Sequence, residues 1–337
     1  MRAIKAFIKS ILNYLRAKRF DRAIQSGELN GQLLIIMYHR VLPKTDPRLE
    51  NEEPGMYVTP ETLDIHLSEL KKISTLVHIE DWLALSKNGE LDNTLYCAIT
   101  FDDGWADNFE YGLPLLQKHN APATIFLATE YIGSNTTFWP ERLAALMNQA
   151  ERYNSQLTIF FGELNEAVDQ ARLLTKDKDY MAHLINVAKS LSDDDIKSKL
   201  DALQGLATED ELPRDMLTWN EVRAMQSAGV KIGGHTRSHL RLNNKASQER
   251  IQQEVEGCAL DIETALQQKP TQFCYPNGDT SQAAIDCVQR HFSTAVTTQR
   301  GINKPNAAPM TLERVGVHED ATRSVSSLKA TVSKATQ

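Results

Sequence analysis

The pattern of apolar and polar positions divides the chain into short apolar runs separated by helical patterns. The runs are apolar on both faces and rich in β-forming residues, which is typical of strands buried on both sides of a parallel sheet or barrel. They are Leu33–Tyr38, Leu95–Phe101, Ala123–Ala128, Val230–Gly233, Gln272–Tyr275, Thr294–Thr297 and Leu312–Val317. Strands alternating with helices predict right-handed βαβ units, in which functional residues lie at the carboxyl ends of the strands.

Helical patterns fill the intervals between these runs. Thr59 can cap a helix that has Pro60 at its first position. Thr218 can cap another helix, over Glu221–Ala228, that ends at Gly229. Two more helices are predicted over Asn108–His119 and Gln248–Gln268.

Three segments fall outside this alternation. The region from about 145 to 214 is polar, favours helix and is poor in strand signals, so it predicts a helical insertion. The insertion either borders the mouth of an active site or is a solvated decoration. Residues 1–30 form a separate N-terminal helical segment, residues 31–320 the main domain and residues 321–337 a C-terminal tail.

The N-terminal segment predicts an amphipathic helix with basic residues around one apolar face. The apolar positions are Ile4, Phe7, Ile8, Ile11, Leu12 and Leu15. Such a helix either lies on an anionic membrane surface or packs on the domain. Basic residues interrupt the segment, so it lacks the apolar core of a signal peptide. We therefore expect a cytoplasmic protein, with association at the inner face of the membrane as a further possibility.

Composition and charge narrow the function without identifying it. The chain has 337 residues, is 41% hydrophobic and carries a net charge of −7, which suits one large domain and disfavours nucleic-acid binding. No C-x-x-C spacing occurs, so a zinc ribbon or redox pair is not indicated. The four cysteines are Cys97, Cys258, Cys274 and Cys287.

Two adjacent carboxylates, Asp102 and Asp103, follow the predicted strand Leu95–Phe101 and precede Gly104. Adjacent carboxylates at a strand end repel each other unless a cation or a proton separates their roles. One of them could therefore bind a metal while the other serves as a base. Because Asp-Gly is also a common turn signal, a simple turn is the alternative.

Two histidines, His235 and His239, stand four residues apart after a predicted strand that ends in Gly233-Gly234. A pair with this spacing can converge on one ion. Zinc favours such nitrogen ligands and keeps a position open for water in catalytic sites. A purely structural role is the alternative.

Two further predicted strand ends carry polar residues or tight turns. After Phe273, Pro276 and Gly278 fix a turn that can aim backbone N–H groups at a ligand, although ordinary strand-to-helix turns look the same. His39 closes the first strand and would lie at the same end of the barrel.

Taken in order, these four motifs resemble those of the polysaccharide deacetylase family, also called the NodB-homology or carbohydrate esterase family 4 domain. The resemblance extends from about Leu33 to Val317. It includes the flanking runs Ala121–Leu127, Phe138–Arg142 and Leu217–Trp219. It implies an α/β fold, a deformed (β/α) barrel here carrying the helical insertion, and one divalent metal. Zinc is the expected metal, with cobalt, nickel or manganese as alternatives.

The resemblance also implies a role for each motif residue. Asp103, His235 and His239 would bind the metal. Asp102 would act as the general base toward the metal-bound water that attacks the amide. The implied contacts to substrate or oxyanion lie at Tyr275 and Asn277.

The sequence departs from the family pattern in three places. Cys274 stands where an Arg normally tethers the base, and Asn277 stands where a Tyr is usual. The late Asp-Trp and Leu-x-His motifs are not recognisable after Asp279. Arg314, on a late predicted strand, is a candidate to replace the missing Arg.

The general acid is a separate question, because the usual Leu-x-His motif is missing. Some members of the family have a circularly permuted barrel, in which the strand that bears the acid His comes first. Met37-Tyr38-His39 resembles that strand end, so we favour His39 as the general acid, with His318 as the alternative. A structural histidine at position 39 also remains open.

The function expected from this resemblance is metal-dependent removal of N-acetyl groups from an amino sugar of a polysaccharide or glycan precursor. A lipid-linked precursor would suit the basic N-terminal helix. One alternative keeps the chemistry but changes the acyl group, as in a deformylase or amidase acting on a lipid-linked amino sugar or a small molecule. The other is a carbohydrate-binding module that has lost catalysis.

Overall fold

The computed structural model describes residues 2–50, 52, 55–148, 160–162, 178–202 and 214–336. Three parts of the predicted insertion, 149–159, 163–177 and 203–213, lie outside the described residues. The strands are β1 Leu33–Tyr38, β2 Arg40–Val41, β3 Tyr57–Val58, β4 Thr75–Leu76, β5 Tyr96–Phe101, β6 Ala123–Leu127, β7 Lys231–Gly234, β8 Gln272–Cys274, β9 Thr294–Val296 and β10 Val315–Gly316.

Helices occupy the intervals between the strands. They are α1 Arg2–Gln25, α2 Pro60–Ile73, α3 Ile79–Asn88, α4 Leu113–His119, α5 Trp139–Asn148, α6 Lys178–Ala188, α7 Asp193–Asp201, α8 Trp219–Ser227, α9 Gln248–Leu266, α10 Gln282–His291, α11 Glu319–Thr322 and α12 Val325–Val332. The side chain of Thr59 accepts a hydrogen bond from the Thr62 amide, and Thr218 forms a capping box with Glu221. Both helix starts are therefore confirmed, with the chemistry that the sequence predicts.

The main sheet is parallel and curls into an open barrel. Its strand order is β10-β1-β5-β6-β7-β8-β9, with β4 pairing beside β5. The register between β1 and β5 runs from Leu33 opposite Tyr96 to Tyr38 opposite Phe101. Every residue of β5 and β6 is buried, because helices or opposing strands cover both faces. The predicted α/β class is confirmed.

The C-terminal residues are folded rather than extended as a tail. Helix α12 packs along the second half of α1, and Leu328 and Val332 join Phe20 in the main apolar core. The ammonium group of Lys329 lies 2.7 Å from Asp21 and 2.8 Å from Glu69, which ties α1, α2 and α12 together. Residues 321–336 therefore pack against the main domain.

The described part of the insertion is helical and has an apolar cluster of its own. This cluster contains Leu143, Phe160, Phe161, Leu184, Ala188, Ile196 and Leu200. Among the described residues, none of the helices combines the length and the apolar character needed to cross a bilayer.

Candidate metal centre and active site

The four motifs meet at one edge of the barrel, where the parallel strands end. His39 follows β1, the Asp102-Asp103 pair follows β5, and His235 follows β7. Cys274 is the last residue of β8. Because the strands are parallel neighbours, their carboxyl ends bring residues far apart in sequence to a common site.

Asp103, His235 and His239 place one donor atom each around a common point. The Asp103 Oδ1 atom lies 3.3 Å from His235 Nε2 and 3.5 Å from His239 Nε2. Donor atoms about 2.0–2.1 Å from a tetrahedral zinc ion would stand about 3.3 Å apart. The donor set of one carboxylate and two imidazoles and its spacing therefore fit a zinc-like divalent ion.

The electrostatics of this cluster favour the ionised form of the Asp103 carboxyl group. Burial alone would raise the pKa of this carboxyl. The hydrogen bond to His235 and the charges of His239 and His39 outweigh burial and hold the pKa well below its ordinary value. A negative charge so deep in the barrel needs a cation nearby, which is the role that a bound metal would have.

Two neighbours orient the ligand atoms. The indole N–H of Trp105 donates to Asp103 Oδ2 at 2.9 Å, which leaves Oδ1 to face the histidines. The Nδ1 atom of His235 lies 2.7 Å from the carbonyl oxygen of Cys274, so Nδ1 carries the proton and Nε2 is left as the donor to a metal. Sequence reasoning missed Trp105, although its position two residues after Asp103 was a signal.

The loop between the two histidines is held in an uncommon backbone conformation. Thr236 and His239 have φ values of 61° and 57°, in the left-handed region, which is strained for a β-branched residue such as Thr236. The carboxylate of Glu254, on α9, accepts the backbone N–H groups of Arg237 and Ser238, each at 2.8 Å. Glu254 thus offsets the strain. It has no local sequence signal, because it contacts the loop only through the tertiary fold.

Gly233 and Gly234 allow β7 to sit close to its neighbours. A β-carbon at Gly233 would lie 2.6 Å from the Phe126 ring and 2.7 Å from the carbonyl oxygen of Gln272. A β-carbon at Gly234 would lie 2.9 Å from the Cys258 sulfur. The glycine pair is therefore a packing requirement of the strand that delivers His235.

Asp102 is buried and forms a bidentate ion pair with Arg314. The two terminal guanidinium nitrogens donate to its two carboxylate oxygens, each at 2.7 Å. Burial would raise the pKa of Asp102, but the charge and hydrogen bonds of Arg314 lower it below the ordinary value. The carboxylate is therefore ionised at neutral pH.

Cys274 contacts the same pair from the position where the family Arg is expected. Its sulfur lies 3.1 Å from Arg314 Nη2 and 3.5 Å from Asp102 Oδ2. Asp102, His235 and Cys274 also bring donor atoms within 4.8 Å of one another. A cation among these three residues would be repelled by the Arg314 guanidinium. Burial also raises the pKa of the Cys274 thiol, and only the thiolate binds metal. Both effects disfavour a second metal site here.

The structure brings His39 to the site. Its Nε2 atom lies 3.9 Å from Asp102 Oδ2, and a fifth of its side chain is exposed. His318 follows β10, the strand beside β1, and its carbonyl oxygen accepts the amide N–H of Thr322, the last residue of α11. His39 therefore lies directly beside Asp102.

The two residues predicted to contact substrate or oxyanion lie in different surroundings. The Tyr275 ring is fully buried, 5.3 Å from the Phe273 ring, and its hydroxyl has no hydrogen-bond partner among the described residues. Side chains alternate along an extended chain, so Cys274 faces Asp102 and Tyr275 faces the core. The structure therefore does not support a substrate contact by the Tyr275 side chain. Asn277 is exposed, with a φ of 59°.

Comparison with known proteins agrees with this geometry. A family model described as polysaccharide deacetylase matches residues 92–296. A Bacillus subtilis (strain 168) protein assigned as a polysaccharide deacetylase, YxkH, is 28% identical over 145 residues, which are 42% of this chain and 48% of that protein. The chain thus matches about half the length of that curated relative.

Two solved structures share the fold. The Streptococcus pyogenes deacetylase PplD in complex with acetate aligns over 89% of this chain and 98% of its own, with a TM-score of 0.58 and 18% identity. IcaB from Ammonifex degensii aligns over 89% and 97%, with a TM-score of 0.56 and 16% identity. These likenesses confirm the predicted deformed barrel. Because the family model spans more than half of the chain, the chain belongs to the polysaccharide deacetylase family.

Proposed function

We propose that this chain is a metal-dependent hydrolase that removes N-acetyl groups from an amino sugar of a polysaccharide or glycan precursor. The observation that carries the proposal is the pairing of a three-donor cluster with a second, ionised carboxylate beside it. Asp103, His235 and His239 would hold the metal, and Asp102 is separately held by Arg314. Family membership supports the same chemistry.

Each residue then has a defined task. When bound, a divalent metal supplies Lewis acidity at the amide and lowers the pKa of water. Asp102 accepts a proton from the attacking water, and Arg314 keeps that carboxylate ionised and oriented. His39, 3.9 Å from Asp102, donates a proton to the leaving amine, and the exposed loop at Asn277 offers contacts to the substrate or the developing oxyanion.

We propose a cytoplasmic location and a substrate carried on a glycan precursor, of which a lipid-linked form is one kind. The basic amphipathic helix α1 supports contact with the inner face of the membrane. The position of His39 after the first strand of the sheet supports the proposed relation to permuted members of the family.

The direct test measures acetate released from N-acetylated hexosamine oligosaccharides by the chelated protein and by protein reloaded with Zn, Co, Ni or Mn. We expect acetate release that depends on the metal. Formate release from an N-formylated sugar, without acetate from the acetylated one, would instead identify a deformylase. Oligosaccharide binding without release of either acid by metal-loaded protein would identify a binding module and contradict the proposal.

A further inference from the structure

Helix α1 has two apolar faces, and only one of them is covered. Its second half is anchored to the domain through Ala17, Phe20 and Ala23, which are buried against the C-terminal helix α12 and the core. The ion pair between Asp21 and Lys329 fixes the same half. This part of the helix therefore has a partner within the chain.

The first half carries a second apolar stripe that faces solvent. The exposed fractions are 66% for Phe7, 50% for Ile8, 44% for Ile11, 44% for Leu12 and 54% for Leu15. At about 100° per residue, the centre of this stripe lies about 150° around the helix axis from the centre of the buried face. The stripe thus points away from the domain, and packing on α12 cannot cover it.

The charge of this segment identifies the kind of partner. Residues 1–22 contain seven Lys or Arg and one Asp, whereas the rest of the chain contains 30 basic and 43 acidic residues. A second copy of the helix would bring like charges together. A bilayer with anionic lipids accepts both bulky apolar side chains and a cluster of cations.

An aromatic residue strengthens this match. Tyr14 is 57% exposed, and the Lys18 ammonium lies 5.8 Å from its ring centroid. An amphipathic ring beside a cation suits the headgroup layer, where a tyrosine keeps its hydroxyl in water.

We infer that the outward stripe of α1, formed by Phe7, Ile8, Ile11, Leu12 and Leu15, docks the protein on an anionic lipid surface. The helix lies in the interface and does not cross the bilayer. The domain, held by the second half of α1, is then presented next to the membrane. This inference rests on and deepens the membrane contact proposed above, and its test does not depend on deacetylase activity.

Vesicle co-sedimentation of the full chain tests the inference. The probes are vesicles of phosphatidylcholine alone and of phosphatidylcholine with 30% phosphatidylglycerol. We expect binding to the anionic vesicles only, with at least a tenfold loss in the double variant Ile8→Asp/Ile11→Asp. The matched control is Ile65→Asp/Leu260→Asp, which places the same charges at exposed apolar positions on α2 and α9. It should bind within about twofold of the unchanged protein.

Because the substituted positions are exposed, we expect each variant to fold. A thermal melting curve of each variant checks this. Equal loss in both double variants, or no binding of the unchanged protein to anionic vesicles, would overturn the inference. So would light scattering that reveals a dimer which only Ile8→Asp/Ile11→Asp dissociates, because the stripe would then serve a second copy.

Discussion

Arg314 grips Asp102 through two parallel hydrogen bonds of 2.7 Å, although 212 residues separate the two in sequence. Arg314 precedes β10, whereas the family pattern places the tethering Arg at Cys274 on β8. The Cys274 sulfur lies 3.1 Å from the same guanidinium. Arg314 thus makes the contact to Asp102 that the family resemblance assigns to an Arg at position 274.

We expect Arg314→Lys to lower kcat by about a hundredfold while metal content stays unchanged, because Lys keeps the charge but loses the two-pronged grip. Steady-state kinetics and metal analysis of the folded variant measure both effects. The rescue variant Arg314→Leu/Cys274→Arg should regain part of the lost kcat relative to Arg314→Leu alone. A kcat for Arg314→Lys equal to that of the unchanged protein would show that Asp102 needs no tether.

We expect His39→Gln to lower kcat by at least about a hundredfold, with little change in KM or metal content, because a proton donor contributes a factor of this size. The basis is the 3.9 Å approach of its Nε2 atom to Asp102. The matched control is His318→Gln, whose kcat should stay within about threefold of the unchanged enzyme. The reverse pattern would assign the general acid to His318.

His66 gives the folded protein a specific sensitivity to acid. It is fully buried, with Nδ1 3.0 Å from the Tyr38 hydroxyl and Nε2 2.6 Å from the Thr322 carbonyl oxygen. Burial lowers its pKa to about 4, against about 6.5 in the unfolded chain. Between these values the unfolded chain binds a proton that the folded chain does not, so the free energy of unfolding falls as the pH falls.

The expected contribution of His66 is a loss of up to about 3 kcal/mol between pH 7 and pH 4. Urea unfolding of the unchanged protein and of His66→Gln at several pH values isolates the contribution of His66 to the free energy of unfolding. Gln can hydrogen-bond to both neighbours but does not titrate. The variant should lose less stability over this range. Parallel curves for the two proteins would rule out His66 as the source.

Arg241 ties the insertion to the loop that carries His239. Its Nε and backbone N–H donate to the Asp193 carboxylate, each at 2.8 Å. Its two terminal nitrogens donate to the carbonyl oxygens of Lys189 and Leu191, also at 2.8 Å. One buried side chain therefore joins α6 and α7 to the active-site edge.

Arg241→Ala should reduce the free energy of unfolding by about 3 kcal/mol and speed amide exchange over residues 189–193, because a largely buried carboxylate loses its partner. Lys245→Ala is the control, since its ammonium group donates to the Ser190 carbonyl oxygen in an exposed position. That change should cost less than about 1 kcal/mol. Equal losses in the free energy of unfolding for the two substitutions would show that Arg241 does not anchor the insertion.

The sequence predicted the seven strands of the main sheet that lead to the site, and the starts of two helices, because apolar runs and capping residues are local signals. The two-residue strands β2, β3 and β4 were not predicted. Thr59 and Thr218 cap helices where expected, and the predicted run Leu33–Tyr38 coincides with β1. The orientation of a side chain at a strand end was harder to predict. Tyr275 faces the core because its neighbour Cys274 faces Asp102, and this choice depends on register.

Contacts between distant elements were the other limit. Glu254 reaches the histidine loop from the middle of a helix, where nothing nearby in sequence marks it. The C-terminal residues form α12 because α1 offers Phe20 as an apolar partner, a pairing that periodicity alone cannot assign. Arg314 could be named as a candidate, but only the curled sheet brings it to Asp102.

We predict that Asp103, His235 and His239 share one metal ion that Asp102 does not hold. The most direct measurement is the metal content per chain after reconstitution and gel filtration, for the unchanged protein, His235→Ala and Asp102→Asn. We predict about one ion, almost none and about one ion, respectively, with acetate release lost in both variants. One tightly bound ion per chain in His235→Ala would contradict the account.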